Sequence, residues 1–293
     1  MGFAACHPAI NFLYFTCVIA MALSVPHPVF LGIGLLCAWA YSTKLTGKKG
    51  LIFGAVLLPL VAIFAGYYAA SHHFGVTVLY KNHIDNNMTL ESAVYGTVLG
   101  SAVAAAMLWF SCVHAVFTAD KVVYLFGKVS PRLSLLLAIL LRIVPRIKAQ
   151  ARKINTARQG IGRGVDQGHI LRRMGNALRI FSMLVTWCIE TMSGISDSMR
   201  SRGSGLRGRT AFSIYRFDNR DRAYVIGVFF CMTLTVMGLL LRQGDIHYDP
   251  IIRMNPITPL SWVFYGGYAV FCLMPLILDV VTEQKFRRAR SEV

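Results

Sequence analysis

Carboxylates are scarce in this sequence: 13 Asp and Glu stand among 293 residues, against 30 Lys and Arg. Magnesium-dependent chemistry on lipid or isoprenoid phosphates requires clustered acids, in patterns such as D-x-x-D with further carboxylates, because the metal takes oxygen ligands. Glu190 and Asp197 lie two turns apart on one helical face with no third acid beside them, so a membrane enzyme of that class is a weak reading. A phosphate loop is missing as well. No G-x-x-x-x-G-K-[ST] occurs, and the glycines from Gly160 to Gly168 carry no Lys-Ser or Lys-Thr to hold phosphate and magnesium, so this chain is not itself a nucleotide engine. The seven cysteines (Cys6, Cys17, Cys37, Cys112, Cys188, Cys231, Cys272) form no C-x-x-C pair and fall mostly inside apolar runs, which favours packing over redox or metal roles. His72, His73, His83 and His247 show no i, i+4 pairing, and no metal site is expected from them. Asn87-Met88-Thr89 matches a glycosylation tripeptide that is frequent by chance.

What the chain has instead is apolar length. With 55% hydrophobic and 15% charged residues it carries more apolar surface than a soluble fold of its size hides, which points to an integral membrane protein. Runs near the roughly 20 residues needed to cross a bilayer occur at about 51–71, 91–118, 223–241 and 259–281. The stretch from Ala9 to Tyr41, broken at Pro26-His27-Pro28, predicts a helical hairpin of two further, slightly short spans. Its first arm lacks a basic n-region and an A-x-A-like site, so it is expected to be retained rather than cleaved as a signal peptide.

The charge is distributed unevenly. Between Asp120 and Arg222 sit 20 of the 30 Lys and Arg and 6 of the 13 Asp and Glu, a net +14 out of +17. Lys and Arg are held on the cytoplasmic side. The loop Lys44–Gly50, the tail after Thr282 and this basic middle are therefore predicted inside, and the loops at about 72–90 and 242–258 outside. Six spans with both termini cytoplasmic satisfy every loop. The expected divisions are an N-terminal bundle of about four spans (1–118), a basic cytoplasmic module (119–222), and two C-terminal spans with a basic tail (223–293).

Within the basic middle, apolar residues at Leu171, Met174, Leu178, Phe181, Val185, Cys188, Met192, Ile195 and Met199 alternate spacings of three and four, the seam of one long amphipathic helix over 169–200. A shorter one is predicted over 142–159, with Pro145 bending its start. Ahead of it lies an apolar run, 131–141, too short to span. Gly160, Gly162, Gly164 and Gly168 separate the two helices and let them fold back as a V. The first ends in Ala157-Arg158-Gln159 before Gly160, the second in Ser201-Arg202-Gly203. An arginine at such a terminus either serves the helix dipole as an ordinary C-terminal cation or projects its fork to a carboxylate. Part of the basic charge also suits anchoring on anionic lipid.

These residues resemble the transmembrane coupling component of energy-coupling factor (ECF) transporters, the EcfT/CbiQ family of ABC-type importers. The resemblance is carried by His7-Pro8-Ala9-Ile10-Asn11-Phe12-Leu13-Tyr14-Phe15, by Trp109-Phe110-Ser111-Cys112 leading into Asp120-Lys121-Val122-Val123-Tyr124-Leu125-Phe126-Gly127, by Leu141-Arg142-Ile143-Val144-Pro145-Arg146, and by Asp197-Ser198-Met199-Arg200-Ser201-Arg202-Gly203 onward through Thr210. It implies an all-α integral membrane protein of about six spans with a V-shaped coupling-helix module on the cytoplasmic side. It further implies a non-catalytic subunit in a bacterial cell membrane, which works with two cytoplasmic ABC ATPase subunits and one membrane substrate-binding S subunit. ATP and magnesium would then be held by the ATPases, this chain would need no cofactor, and its surroundings would be lipid bilayer rather than nucleic acid. In the family, motifs usually read as Ala-Arg-Gly dock the coupling helices into the ATPases. The matching positions are Ala157, Arg158 and Gln159, and Ser201, Arg202 and Gly203, each triplet departing from the pattern at one neighbour. Met174, Met183, Met192 and Met199 are then candidates for contact with the substrate subunit, plain helix packing being the equal alternative. Vitamin or other micronutrient uptake is the implied function. A dedicated cobalt or nickel importer of the CbiQ type is its alternative within the family, and a channel or sensor anchored on anionic lipid is a further one outside it.

Overall fold

The computed structural model describes residues 2–72, 74–81, 87–204, 206, 215, 217–256 and 258–291. His73, His83 and residues 207–214 lie outside them. The described residues form nine α-helices: α1 (Pro8–Ser24), α2 (Pro28–Thr46), α3 (Lys48–Ser71), α4 (Leu90–Val116), α5 (Ala119–Val129), α6 (Pro131–Gln159), α7 (Ile170–Ser201), α8 (Asn219–Leu240) and α9 (Pro259–Ser291). Two short antiparallel pairs, β1 (Val78–Lys81) with β2 (Asn87–Thr89) and β3 (Ile246–His247) with β4 (Arg253–Met254), close the loops after α3 and α8. Two compact units result, one of Met1–Thr118 with Tyr215–Val293 and one of Ala119–Ile214.

Six helices are long and apolar enough to cross a membrane: α2, α3, α4, α7, α8 and α9. The protein is an all-α, multi-pass membrane protein. The sequence reading reached six by taking α1 and leaving out α7. α1 has 17 residues, about 26 Å at 1.5 Å per residue, slightly under the roughly 30 Å of hydrocarbon. α7 is long enough to cross but is the least apolar of the six. Its apolar residues are gathered on one stripe, whereas those of α3 and α8 are spread around the helix.

In the first unit α1 and α2 start by the same local device. His7 and His27 are buried N-caps whose Nδ1 accepts from the backbone N–H of Ala9 and Val29, each at 3.3 Å, and each is followed by proline at the first helical position. That position needs no N–H donor, and its fixed φ suits a helix start. The expected break between the two arms therefore falls at 25–27. The arms do not pack as a tight hairpin: α1 lies mainly on α4, and α2 on α4 and α9.

The core of this unit is aromatic. Phe3, Tyr14, Tyr41, Trp109 and Phe271 are wholly enclosed, with the Phe3 ring 5.4 Å from that of Tyr14 in an edge arrangement. The Tyr14 hydroxyl donates to the carbonyls of Phe271 and Cys272 at 3.1 and 3.2 Å, so the polar tip is satisfied inside the bundle. α3 and α4 approach closely along Gly96 and Gly100. A Cβ at Gly96 would stand 2.9 Å from the Tyr68 Cβ and 3.2 Å from the Ala65 Cα. Small residues four apart let membrane helices bring their backbones together. The opposite face of α3 exposes Leu51, Ile52, Val56, Leu60 and Ile63, a surface suited to lipid.

α9 runs unbroken for 33 residues through Pro275, so the basic tail after Thr282 continues the helix as far as Ser291. There Glu283 pairs with Lys44 from the end of α2 at 2.5 Å and with Arg287 at 3.0 Å.

In the second unit the apolar run 131–141 and the basic helix 142–159 are one helix, α6, of 29 residues with Pro145 inside it. The sequence reading separated them on composition. Pro145 removes one backbone hydrogen bond and crowds the carbonyl of Leu141, yet the Leu, Ala, Arg and Lys residues on both sides keep the helix going.

Candidate functional site

The two arginines singled out by sequence both lie where a long basic helix stops, and both helices stop in the same way. Arg202 caps α7. Gly203 follows at φ 74°, its N–H donating to the Arg200 carbonyl at 3.0 Å while the Ser204 N–H donates to that of Met199 at 3.0 Å. At the end of α6, Gly162 takes the left-handed conformation at φ 70°, its N–H donates to the Gln159 carbonyl at 3.1 Å, and the Arg163 N–H reaches back to that of Arg158 at 2.9 Å. Both are Schellman closures, which satisfy the last carbonyls and need a residue tolerant of positive φ. Gly160, beside the first triplet, keeps right-handed helical angles of φ −60° and ψ −24°. The reversal expected at Gly160 is made two residues later.

The corner between α6 and α7 is a hydrogen-bonded structure rather than a loose glycine linker. Asn155 Oδ1 accepts from the Val165 N–H at 3.0 Å, Gln167 Oε1 from the Gly164 N–H at 3.0 Å, and the Gly164 carbonyl from Asn176 Nδ2 at 3.0 Å. Arg173 Nη2 donates to the Asp166 carbonyl at 2.6 Å. The Gly164–Gln167 bond closes the corner on itself and the other three tie the corner to α6 or α7, so the angle between the arms is set locally.

Arg158 and Arg202 differ in their surroundings. Arg202 is exposed, as is Ser201, and among the described residues its side chain has no hydrogen bond or ion pair. Arg158 is 9% exposed, folded into the corner with its Nε donating to the Arg163 carbonyl at 3.3 Å, while Ala157 is exposed and Gln159 half-buried. The sequence predicts an outward fork at both positions; at Arg158 the corner carbonyl draws the stem inward. Its two terminal nitrogens are not among the buried polar atoms left without a partner, so the guanidinium edge still reaches the surface. Among the described residues neither arginine has an ion pair with a carboxylate.

The arms of the V enclose a cleft of about 970 Å³, lined by α6 from Leu135 to Arg146, by α7 from Thr191 to Met199, and by Arg202 to Ser204 with Leu206. Its mouth was not foreseen from the sequence, although Arg142 and Arg146 belong to a motif already singled out. The methionines divide between two settings. Met174 is 63% exposed and Met183 44%, on the same half of α7 as exposed Leu171, Leu178 and Phe181, whereas Met192 and Met199 are half-buried and Met199 lines the cleft. The long stripe is thus open over its first half and partly covered over its second.

The chain is similar to the energy-coupling factor transporter transmembrane protein EcfT of Lacticaseibacillus paracasei, with 32% identity over 111 residues. That match spans 38% of this chain and 41% of the relative, so the similarity accounts for less than half of either. No protein-family model matches the chain. The apolar helices fit a membrane protein, as that relative's name describes.

Proposed function

We propose that this chain is the transmembrane coupling subunit of an ECF-type ABC importer, a non-catalytic scaffold that passes ATP-driven motion of two cytoplasmic ATPases to a membrane substrate-binding subunit. The observation that carries the reading is the pair of long basic helices, each closed by a glycine-capped turn with an arginine that has no carboxylate partner among the described residues. A guanidinium fork at a helix end is shaped for a bidentate pair with an acid on another chain. The 32% identical stretch shared with EcfT supports the same reading.

In this reading the basic unit faces the cytoplasm with both termini, as the distribution of Lys and Arg among the loops requires. Arg158, between Ala157 and Gln159, and Arg202, between Ser201 and Gly203, are the ATPase-docking residues. ATP and magnesium belong to the ATPases. Leu171, Met174, Leu178 and Phe181 form the open apolar stripe that receives the substrate-binding subunit, with Met192 and Met199 deeper along the same face. Flexible thioether side chains let one face accept partners of different shape. The cargo is a vitamin or another micronutrient, cobalt and nickel included, and its identity resides in the substrate-binding subunit.

Co-purification from native membrane tests the proposal. The wild-type chain is expected to bring ATPase polypeptides with it, and R158E/R202E to lose them while still inserting in the membrane at a normal level. Full retention of the ATPases by the double variant would refute the docking assignment.

A further inference from the structure

The cleft between α6 and α7 has a composition that coupling to ATPases does not call for. Three cations line it, Arg142 and Arg146 on α6 and Arg202 at the end of α7, and no Asp or Glu is among its lining residues. Ser198 and Ser204 add hydroxyls. The rest of the wall is apolar, with Leu135, Ile139, Ile143 and Ile195 prominent. None of the three guanidinium groups has a hydrogen bond or ion pair among the described residues, although like charges gathered on one concave surface repel and call for an anion.

The distribution along α6 narrows the choice of anion. From Leu133 to Leu141 the helix holds one polar residue, Ser134. Arg142 and Arg146 are the first cations after it, and both apolar and cationic parts border the same cleft. A helix that changes from hydrocarbon-compatible to cationic within one turn has its first cations at the depth of lipid phosphates. A free phosphate would use the arginines and leave the apolar wall idle, and an acidic peptide would leave it equally idle. A lipid uses both.

We infer that this cleft binds one anionic phospholipid, its headgroup phosphate held by Arg142 and Arg146 and an acyl chain laid along Leu135, Ile139 and Ile143. The site belongs to the chain alone and does not depend on the ATPase-docking reading.

The test is native mass spectrometry of the purified full-length chain, without ATPases, in a neutral detergent with phosphatidylglycerol or phosphatidylcholine added. Wild type is expected to retain a single phosphatidylglycerol in preference to phosphatidylcholine. R142Q/R146Q should weaken that retention roughly thirtyfold, from about 1 kcal/mol for each cation at a lipid surface. R152Q/K153Q removes the same charge from α6 outside the cleft and should retain the lipid as wild type does. Both pairs of positions are exposed, and unchanged far-UV circular dichroism checks that the variants are folded. Equal losses in the two double variants would mean diffuse attraction and overturn the site. Displacement of phosphatidylglycerol by millimolar inorganic phosphate would overturn the lipid assignment, because the apolar wall would then contribute nothing. ATPase retention is read in a separate purification, so loss of the lipid site leaves the docking test intact, and the reverse also holds.

Discussion

Gly160 and Gly162 stand two residues apart and make opposite demands on the backbone. Gly162 sits at φ 70° with open space where a Cβ would go, so Gly162→Ala meets no clash and costs only the left-handed conformation, about 1 kcal/mol. Gly160 is right-handed and its added Cβ would meet the Ala157 carbonyl oxygen at an ordinary 3.5 Å. Gly160→Ala should be neutral or stabilising by a few tenths of a kcal/mol, since alanine is the better helix residue. Thermal unfolding in detergent checks the pair, and G162A should in addition weaken ATPase co-purification more than G160A if corner geometry presents Arg158. The sequence identified the arginines and a glycine stop near each. It placed the first stop at Gly160 rather than Gly162, because the choice among four glycines in nine residues depends on which carbonyls the corner returns to. The inward fold of Arg158 was illegible for the same reason: its acceptor, the Arg163 carbonyl, is placed only once the turn has formed.

Among elements, the close approach of α3 and α4 has a consequence that can be measured. Gly96→Leu would drive a side chain into Ala65 and Tyr68, where no space exists, and should destabilise the bundle by about 1–3 kcal/mol, read as a lower unfolding temperature in detergent. Gly66, with nothing near its missing Cβ, should accept alanine without loss. Helix periodicity made most elements readable, α7 above all, since its seam of threes and fours matches one continuous helix. The same signal misled at α6. Hydrophobicity changes at Arg142 but helical backbone does not, so two apparent segments are one helix. The β pairs after α3 and α8 and the short helix α5 left no comparable signature, because a few residues cannot establish a period.

For the molecule as a whole, the apolar helices and the strongly basic middle were both evident in composition, since burial in lipid and exclusion of cations from it are enforced residue by residue. The sidedness that follows can be measured directly. A reporter active only in the cytoplasm, fused at either terminus, should be active. Single cysteines introduced at positions 75 and 245 in a cysteine-free background should react with an impermeant thiol reagent from outside the cell, and one at position 48 should not. Reaction at position 48 and silence at 75 and 245 would invert the topology and remove the basis for cytoplasmic partners. Partner docking itself could be read only as far as the cations at the helix ends, because a single chain carries no record of the groups that would answer them.

That α6 is a single helix of 29 residues makes it a lever about 43 Å long. A tilt of about 5° imposed at its Arg158 end would carry its Pro131 end through roughly 4 Å, at 1.5 Å of rise per residue. Pro145, near the middle, has no N–H to give the helix ladder, and a bend there would absorb part of such a tilt.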